Sequence, residues 1–221
     1  MVEQVTLTPD ELLATTRAVR KRLDLKRAVP RDLLLECFRL AQQAPNGGNR
    51  EEWGFVVVRD PKRRDRLAEL YRREGNRLLS PQAVESRVAS DLSRAAETRR
   101  RDESARYLVD RMHEVPVLVI PCVRMRSETM PGPGGWASVI QATWSFMLAA
   151  RARGLGTAWT SMHLAHEQEA AEVLGIPFPS VRQAALIPVA YAIGTTFKPG
   201  IRRPVEEILH WESWQDDFRV A

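Results

Sequence analysis

A chain of 221 residues, 44% hydrophobic and 28% charged, is long enough to bury a real core and too apolar to remain disordered. Its net charge of +5 is carried almost wholly by arginine, and between Arg59 and Arg111 the arginines are interleaved with Asp and Glu. That pattern is a solvated helical face rather than a one-sign stripe tracking phosphates, and it argues against a nucleic-acid-binding module.

No apolar run approaches the roughly 18 residues of a membrane span. The start, MVEQVTLTPDELL, has no basic-then-apolar signal pattern, so the expectation is a cytoplasmic protein with no membrane partner. Two cysteines, Cys37 and Cys122, are too few for a disulfide framework or a metal cage. Each sits in an apolar segment and is expected as a small buried hydrophobe.

In chain order, Thr8-Pro9-Asp10-Glu11 predicts a helix start with a capping box, the helix running to about Ala18. A second helix follows Pro30, with Leu33, Leu34, Cys37, Phe38 and Ala41 at helical spacing; Pro45 ends it at Ala44. Phe55 to Val58 reads as a strand, and residues 61–79 and 82–112 as two polar helices. Glu69/Arg73, Glu97/Arg101 and Asp102/Arg106 have the i,i+4 spacing of surface ion pairs. VPVLVIPCV (115–123) is continuously apolar, hence a central strand covered on both faces. MPGPGG (130–135) reads as a loop, and Trp136 to Arg153 as a long apolar helix, central and buried, ended by Gly154. GTAWTSM (156–162) reads as a strand, 166–174 as a short helix stopped by Gly175, and AALIPVAYAIG (184–194) as a further strand before an Arg/Pro-rich tail. With no repeat or linker, residues 1–221 form one α+β domain.

Several catalytic signatures fail. Gly154-Leu155-Gly156 begins like a dinucleotide fingerprint, but Trp159 stands where the third glycine belongs, and the glycines lie between helix and strand in the reverse order. GPGG at 132–135 lacks the Lys-Ser/Thr of a phosphate loop. His163 and His166 are three apart, yet no further ligand completes a metal set, and both are expected on the surface. No serine sits in a nucleophile elbow, and neither cysteine has a histidine partner in sequence, so no side chain is assigned a catalytic role.

A phosphorylated, planar ligand fits better. TTRAVRKRLD (15–24) gathers Arg17, Arg20, Lys21 and Arg22, and KPGIRRP (198–204) gathers Lys198, Arg202 and Arg203. Guanidinium groups grip phosphate oxygens in a bidentate fork, so two such clusters in one domain suit a single phosphate. The competing reading is cations placed near helix ends by the backbone dipole. APNGGN (44–49), between helix and strand, carries more hydrogen-bonding capacity than a bare connection needs.

The order of these pieces carries a resemblance: an Arg-rich segment near residue 20, A-P-N-G-G-N-x-x-x-W-x-F-V-V-V, a buried helix ending in G-L-G-T, then LGIP, ALIPVAYAIG and RRPVEEILHW. The set, spanning about residues 14 to 212, resembles the FMN-dependent nitroreductase family. The resemblance implies an α+β fold, with a central, mostly antiparallel sheet of four to five strands flanked by helices. It also implies an intertwined homodimer with FMN in the interface. Pro45, Asn46, Gly47 and Asn49 match the family's flavin-contacting turn, with Asn46 in place of Ser, and by analogy they contact the partner subunit's flavin. The family's Arg-Ser-x-Arg appears as Arg17-Ala18-Val19-Arg20, without the hydroxyl; Arg17 maps to the phosphate and Arg20 to the ribityl and pyrimidine side. Arg202 occupies the C-terminal phosphate position with Arg203 beside it. Trp159, Thr160 and Ser161 fall along the flavin ring, and Arg111 is a weaker candidate for its N1/O2 edge. Trp53 reads as a core aromatic.

The implied activity takes hydride from NADPH or NADH and reduces nitroaromatic, quinone or similar electron-poor acceptors by a ping-pong mechanism, with Trp136 and the 126–135 loop as candidate pocket walls. Glu51-Glu52 stands where the family has Gln-Pro. That acidic rim keeps open a different redox reaction on the same fold, dehydrogenation or reductive dehalogenation.

Overall fold

The computed structural model describes residues 5–125 and 132–214; the expected loop at 126–135 therefore lies in part outside the described residues. Helix α1 (Pro9–Thr15) starts on the capping box, with the Thr8 hydroxyl accepting from the Glu11 N–H and the Glu11 carboxylate accepting from the Thr8 N–H. It stops three residues before Ala18, because Thr16 is already extended and the chain leaves to dock on the sheet. Helix α2 (Arg31–Ala41) likewise ends ahead of Ala44, in a tight turn where the Ala44 N–H donates to the Ala41 carbonyl. Strand β2 (Trp53–Val58) leads to α3 (Pro61–Leu78), capped by Asp60, and α4 (Pro81–Ser90), capped by Ser80. The single helix expected over 82–112 is broken: the Asp91 side chain accepts from the Arg94 N–H, caps a short 3-10 turn, and α5 (Ala95–Arg111) begins afresh. Helix α6 (Pro133–Ala152) takes Pro133 to Gly135, expected as loop, into its first turn. Helix α7 (Glu167–Leu174) stops at Gly175.

The sheet has six strands, all pairings antiparallel: β1 (Leu23–Asp24), β2, β3 (Val117–Arg124), β4 (Leu155–Thr157), β5 (Val181–Gln183) and β6 (Ile187–Ala192). Its backbone order is β1-β6-β3-β2, with β4 also on β6 and β5 on β3. Strands β1 and β5, of two and three residues, carry no readable periodicity and were not among the strands expected along the chain. Strand β3 is the central strand, buried from Val117 to Val123. Its run is continuously apolar because each face meets a different core: Leu118, Ile120 and Cys122 pack with Leu67, Leu70 and Leu108 of α3 and α5, while Val117 and Val119 pack with Cys37 of α2 and Phe146 of α6. The strand expected over 156–162 ends at Thr157 and resumes only as a bridge between Thr160 and Leu186.

The charged helices are solvated but pair differently from the i,i+4 expectation. Glu69 takes Arg66, Arg73 crosses to Glu169 of α7, and Glu97 takes Arg94. Buried Asp102 accepts from both Arg87 and Arg101, and Arg106 donates to Asn76 and the Leu79 carbonyl. Packing α3, α4 and α5 against one another and α7 supplies partners that no single-helix spacing contains. Both cysteines are buried, and burial pushes their thiols up to about 11 for Cys37 and about 12 for Cys122. Among the described residues no helix is long and apolar enough to cross a membrane.

His163 departs from expectation: it is fully buried, not on the surface, and neither ring nitrogen has a hydrogen-bond partner of good geometry. Burial pushes its pKa down to about 4, against smaller upward pulls from Gln183 and Glu167. The folded state therefore holds this imidazole neutral while the unfolded chain protonates it near 6.5, so stability is intact above that pH and falls as pH drops toward 4. Denaturant unfolding at pH 7 and at pH 4.5 should show a His163→Leu variant losing less stability on acidification than the parent, by roughly 2–3 kcal/mol. An equal acid loss in both proteins would exclude His163 as a source of the acid sensitivity.

Candidate functional site

The Arg-rich segment leaves α1 and is seated on β4 by one residue. Val19 is buried in the core and its N–H donates to the Thr157 carbonyl at 2.8 Å. Gly156 makes the seat: a Cβ there would lie 2.9 Å from Val19 Cγ1 and 3.0 Å from Leu23 Cδ2. With Val19 and Leu23 turned inward, Arg17 and Lys21 are exposed and Arg20 and Arg22 half-buried. They form one wall of an open cleft of about 500 Å³, with Phe197 and Lys198 on the other wall and Ser104 of α5 beside them.

The charged residues that line the cleft are all basic. Arg17 Nη1 donates to the Lys198 carbonyl at 2.8 Å, tying the two walls together. Lys21 is ion-paired with Glu103 of α5. Burial holds the Arg20 pKa below its ordinary value, with Tyr71 pulling it back up and Arg101 adding to the decrease. Burial also pushes the Tyr71 hydroxyl up to about 12. Of the second cluster only Lys198 lines the cleft. Arg202 and Arg203 are exposed outside it, and Arg202 Nη1 turns back to the Ile201 carbonyl at 2.9 Å. The expected convergence of both clusters thus reduces, within one chain, to residues 17–22 and Lys198.

The Asn/Gly turn builds a second, smaller concavity. The Gly47 N–H donates to Ser138 Oγ at 3.1 Å, and Ser138 Oγ donates to the Gly134 carbonyl at 2.7 Å. Asn46 Oδ1 accepts from the Glu51 N–H at 3.1 Å, and Arg50 Nε donates to the Gly47 carbonyl. Inside that brace the backbone is left-handed at Gly48 (φ 63°), Asn49 (φ 52°) and Glu51 (φ 49°). The conformation is ordinary for Gly, tolerated by Asn, and strained for Glu. Pro45, Asn46 and Gly47 face Ala137, Ser138 and Gln141 of α6 across about 270 Å³. Sequence reading did not name Ser138 or Gln141; their i,i+3 spacing on an otherwise apolar helix was the available signal.

The basic cleft and this concavity share no lining residue. Trp159, Thr160 and Ser161 line neither: half-buried Trp159 packs against the core cluster that holds Phe146 and Leu155, the Thr160 hydroxyl donates to the Leu186 carbonyl at 2.6 Å, and Ser161 is exposed. Trp53 packs edge-on against Phe55, as a core aromatic should. Arg111 is outside the cleft, held 2.6 Å from Glu114. Trp136 packs with Val123, Val139 and Ala184, and residues 126–131 of the candidate wall lie outside those described.

The sequence model of the nitroreductase family matches residues 13–191, from the end of α1 through β6. The chain belongs to the nitroreductase family. One curated relative, the 5,6-dimethylbenzimidazole synthase of Rhodospirillum rubrum, is 32% identical over 139 residues, which is 58% of this chain and 56% of that protein; the match thus spans little more than half of the relative's length. Solved structures share the nitroreductase fold at lower identity. Oxidized iodotyrosine deiodinase bound to FMN and 3-iodo-L-tyrosine superposes with a TM-score of 0.70 at 22% identity, covering 92% of this chain and 98% of that one. A point mutant of the FMN and NADPH-dependent nitroreductase NfnB from Sphigopyxis sp. strain HMH gives 0.68 at 21%, covering 94% and 100%. A BluB-like flavoprotein from Clostridium difficile 630 gives 0.67 at 17%, covering 94% and 100%.

The seat of the Arg-rich segment is testable directly. Gly156→Ala should cost about 1–3 kcal/mol by overpacking against Val19 and Leu23, read as a lower urea midpoint at unchanged slope. A midpoint equal to the parent's would mean that the close approach at Gly156 is not a constraint.

Proposed function

We propose that this nitroreductase-family chain is an FMN-dependent oxidoreductase acting as a homodimer. The observation that carries the reading is the closure of residues 17–22 and Lys198 on one cleft whose charged lining residues are all cations, of which Lys21 is paired with Glu103 of α5. This donor set fits a phosphorylated ligand: Arg20 and Lys198 supply charge, and Arg17 keeps further N–H donors beyond the one given to Lys198. When bound, the flavin would supply the redox chemistry, taking hydride from NADPH or NADH and passing it to a nitroaromatic, quinone or similar electron-poor acceptor in ping-pong order. The chain's own residues bind and orient. The braced Asn46–Asn49 turn would let a flat ring come close to the backbone at Gly47 and Gly48, Asn49 would add a polar side chain, and Arg20 would supply positive charge.

Two features support a second copy as the partner. Ile140 and Trp144 leave 47% and 39% of their surface exposed on α6, next to the concavity that holds Asn46 and Gly47. Large apolar side chains on a central helix mark a surface that needs covering. The segment after Phe197 exposes Ile201, Val205, Ile208, Leu209, Trp211 and Trp214, an apolar arm suited to wrapping another chain. Joining the turn of one protomer to the basic cleft of its partner would bring together pieces that stand apart in a single chain. On the resemblance, Arg202, Arg203, Trp159, Thr160 and Ser161 belong to that completed site.

A second reading has one observation in its favour. The 32% identity to a 5,6-dimethylbenzimidazole synthase favours a flavoprotein of this fold with a different redox reaction, and the Glu51-Glu52 rim is compatible with it.

Mass spectrometry of heat-released ligand should find FMN at about one per chain. Release of FAD, or no flavin from protein refolded with excess FMN, would sink the flavin reading. Anaerobic mixing with NADPH or NADH should bleach the yellow protein, and a nitroaromatic or quinone should restore the colour. Failure to bleach with either nucleotide, together with formation of 5,6-dimethylbenzimidazole when chemically reduced FMN is supplied in air, would favour the second reading. Sedimentation at micromolar concentration should give the mass of two chains; a flavin-bound single chain would contradict the dimer.

A further inference from the structure

The wall of the cleft that carries Phe197 and Lys198 has little backbone pairing of its own. Among the described residues, the Ile193 N–H, donating to the Arg22 carbonyl, is the one group between Ile193 and Lys198 that enters a backbone hydrogen bond. Its carbonyls are instead held by arginine side chains from two other parts of the fold. Arg22 donates from Nε to Ile193 at 2.7 Å and from Nη1 to Thr196 at 2.9 Å. Arg151, in the last turn of α6, donates from Nη2 to Thr195 at 2.7 Å, and Arg17 reaches Lys198. The Phe197 ring lies against two guanidinium groups, with Arg22 Cζ 4.1 Å and Arg151 Cζ 4.7 Å from its centroid.

Arg151 is the unusual member. It is 4% exposed, and its Nε and Nη1 have no partner. Among the described residues no carboxylate forms an ion pair with Arg151 or Arg22. Burial, and then the charge of Arg22, hold the Arg151 pKa below its ordinary value. Such a cation is costly to bury, and stacking on Phe197 offsets only part of that cost. Gly194 belongs to the same arrangement: at φ 74° it takes a left-handed turn, and a Cβ there would lie 2.7 Å from Arg22 Nη2.

We infer that Arg151, through Phe197 and Arg22, is a positioning residue: this clamp sets the height of the 193–198 segment and so places Lys198 and Arg17 opposite Arg20 for the phosphate of the bound ligand. Arg22 then builds the cleft rather than gripping the anion, and Arg20, Lys198 and the free donors of Arg17 are left to hold it. Arginine suits the role because its planar fork spans two carbonyls, stacks on a ring and stays charged when buried. The inference rests on the flavin reading above for the identity of the ligand but not for the existence of the clamp.

The test uses full-length protein and two variants, Arg151→Met and Phe197→Leu, with Phe197→Tyr as the variant that keeps the ring. FMN and riboflavin are titrated by quenching of flavin fluorescence. Loosening the clamp should weaken FMN by roughly tenfold or more while riboflavin changes by less than about threefold, and Phe197→Tyr should bind FMN like the parent. A merely structural role would weaken both flavins alike. Equal losses for the two flavins, or FMN binding by Phe197→Leu equal to the parent's, would overturn the inference. In parallel, ligand-free protein is treated with chymotrypsin and the cut sites are read by mass spectrometry. Cleavage after Phe197 should be slow in the parent and fast in Arg151→Met; equal rates would overturn the clamp even if neither flavin binds, an outcome that on its own would refute only the flavin reading.

Discussion

The basic cleft depends on how residues 16–23 sit on β4. The seat is narrow: a backbone hydrogen bond from Val19 to Thr157, and a glycine at 156 with no room for a side chain under Val19 and Leu23. Once Val19 and Leu23 are committed to the core, the turn between them, closed by the Leu23 N–H on the Arg20 carbonyl, leaves Arg17 and Lys21 at the surface and Arg20 and Arg22 at its edge. A helix through the same residues would scatter those cations around its circumference. The early stop of α1 at Thr15 is therefore part of the site, since it frees the chain to turn a periodic basic segment into a wall.

The second wall follows from the first. Arg22 and Arg17 emerge from the seated segment, and their donors meet carbonyls of residues 193–198, a stretch that continues past β6 with almost no backbone pairing to hold it. Arg151 reaches the same stretch from α6. Concentrating cations in this way is unfavourable for an empty cleft and favourable for one that holds an anion, so fold and ligand preference come from the same residues. The Asn/Gly turn is built on a different principle, a short strained loop braced by Ser138 and Asn46, and it stands on another part of the surface. Two incomplete surfaces in one chain, with Ile140 and Trp144 exposed on the helix beside one of them, are the physical basis for expecting a second copy.

What could be read from the sequence was what depends on local chemistry. Thr8 starts a helix through its own side chain, and Gly175 ends one. Strand β3 was visible because both of its faces are buried, which leaves no polar residue to interrupt the run. The misses are decisions made by the tertiary structure. Asp91 breaks a helix whose flanking sequence is helical, because its carboxylate finds the Arg94 N–H first. Arg73 prefers Glu169 on α7 to Glu69 one turn away. His163 was expected on the surface because no further ligand completed a metal set around it; only the packing of the 3-10 turn it occupies carries it inside. For the site, residues 17–22 and the Asn/Gly turn were found as motifs, whereas Ser138 and Arg151 belong to a helix read as plain core. The distance of Arg202 from the cleft depends on the path of the chain after Pro199, which no local pattern specifies.

The proposed function needs one flavin site assembled from the basic cleft of one chain and the Asn/Gly turn of another. Co-expression of two differently tagged chains, one carrying Arg17→Gln and Arg20→Gln and the other carrying Gly47→Val and Asn49→Ala, tests it most directly. Purification through both tags then isolates the mixed dimer. Each variant alone should bind flavin poorly. The mixed dimer should regain one tight site, built from the intact cleft of one chain and the intact turn of the other, and so bind one FMN per two chains. A mixed dimer as empty as its parents would mean that cleft and turn must come from the same chain, and the shared site would have to be abandoned.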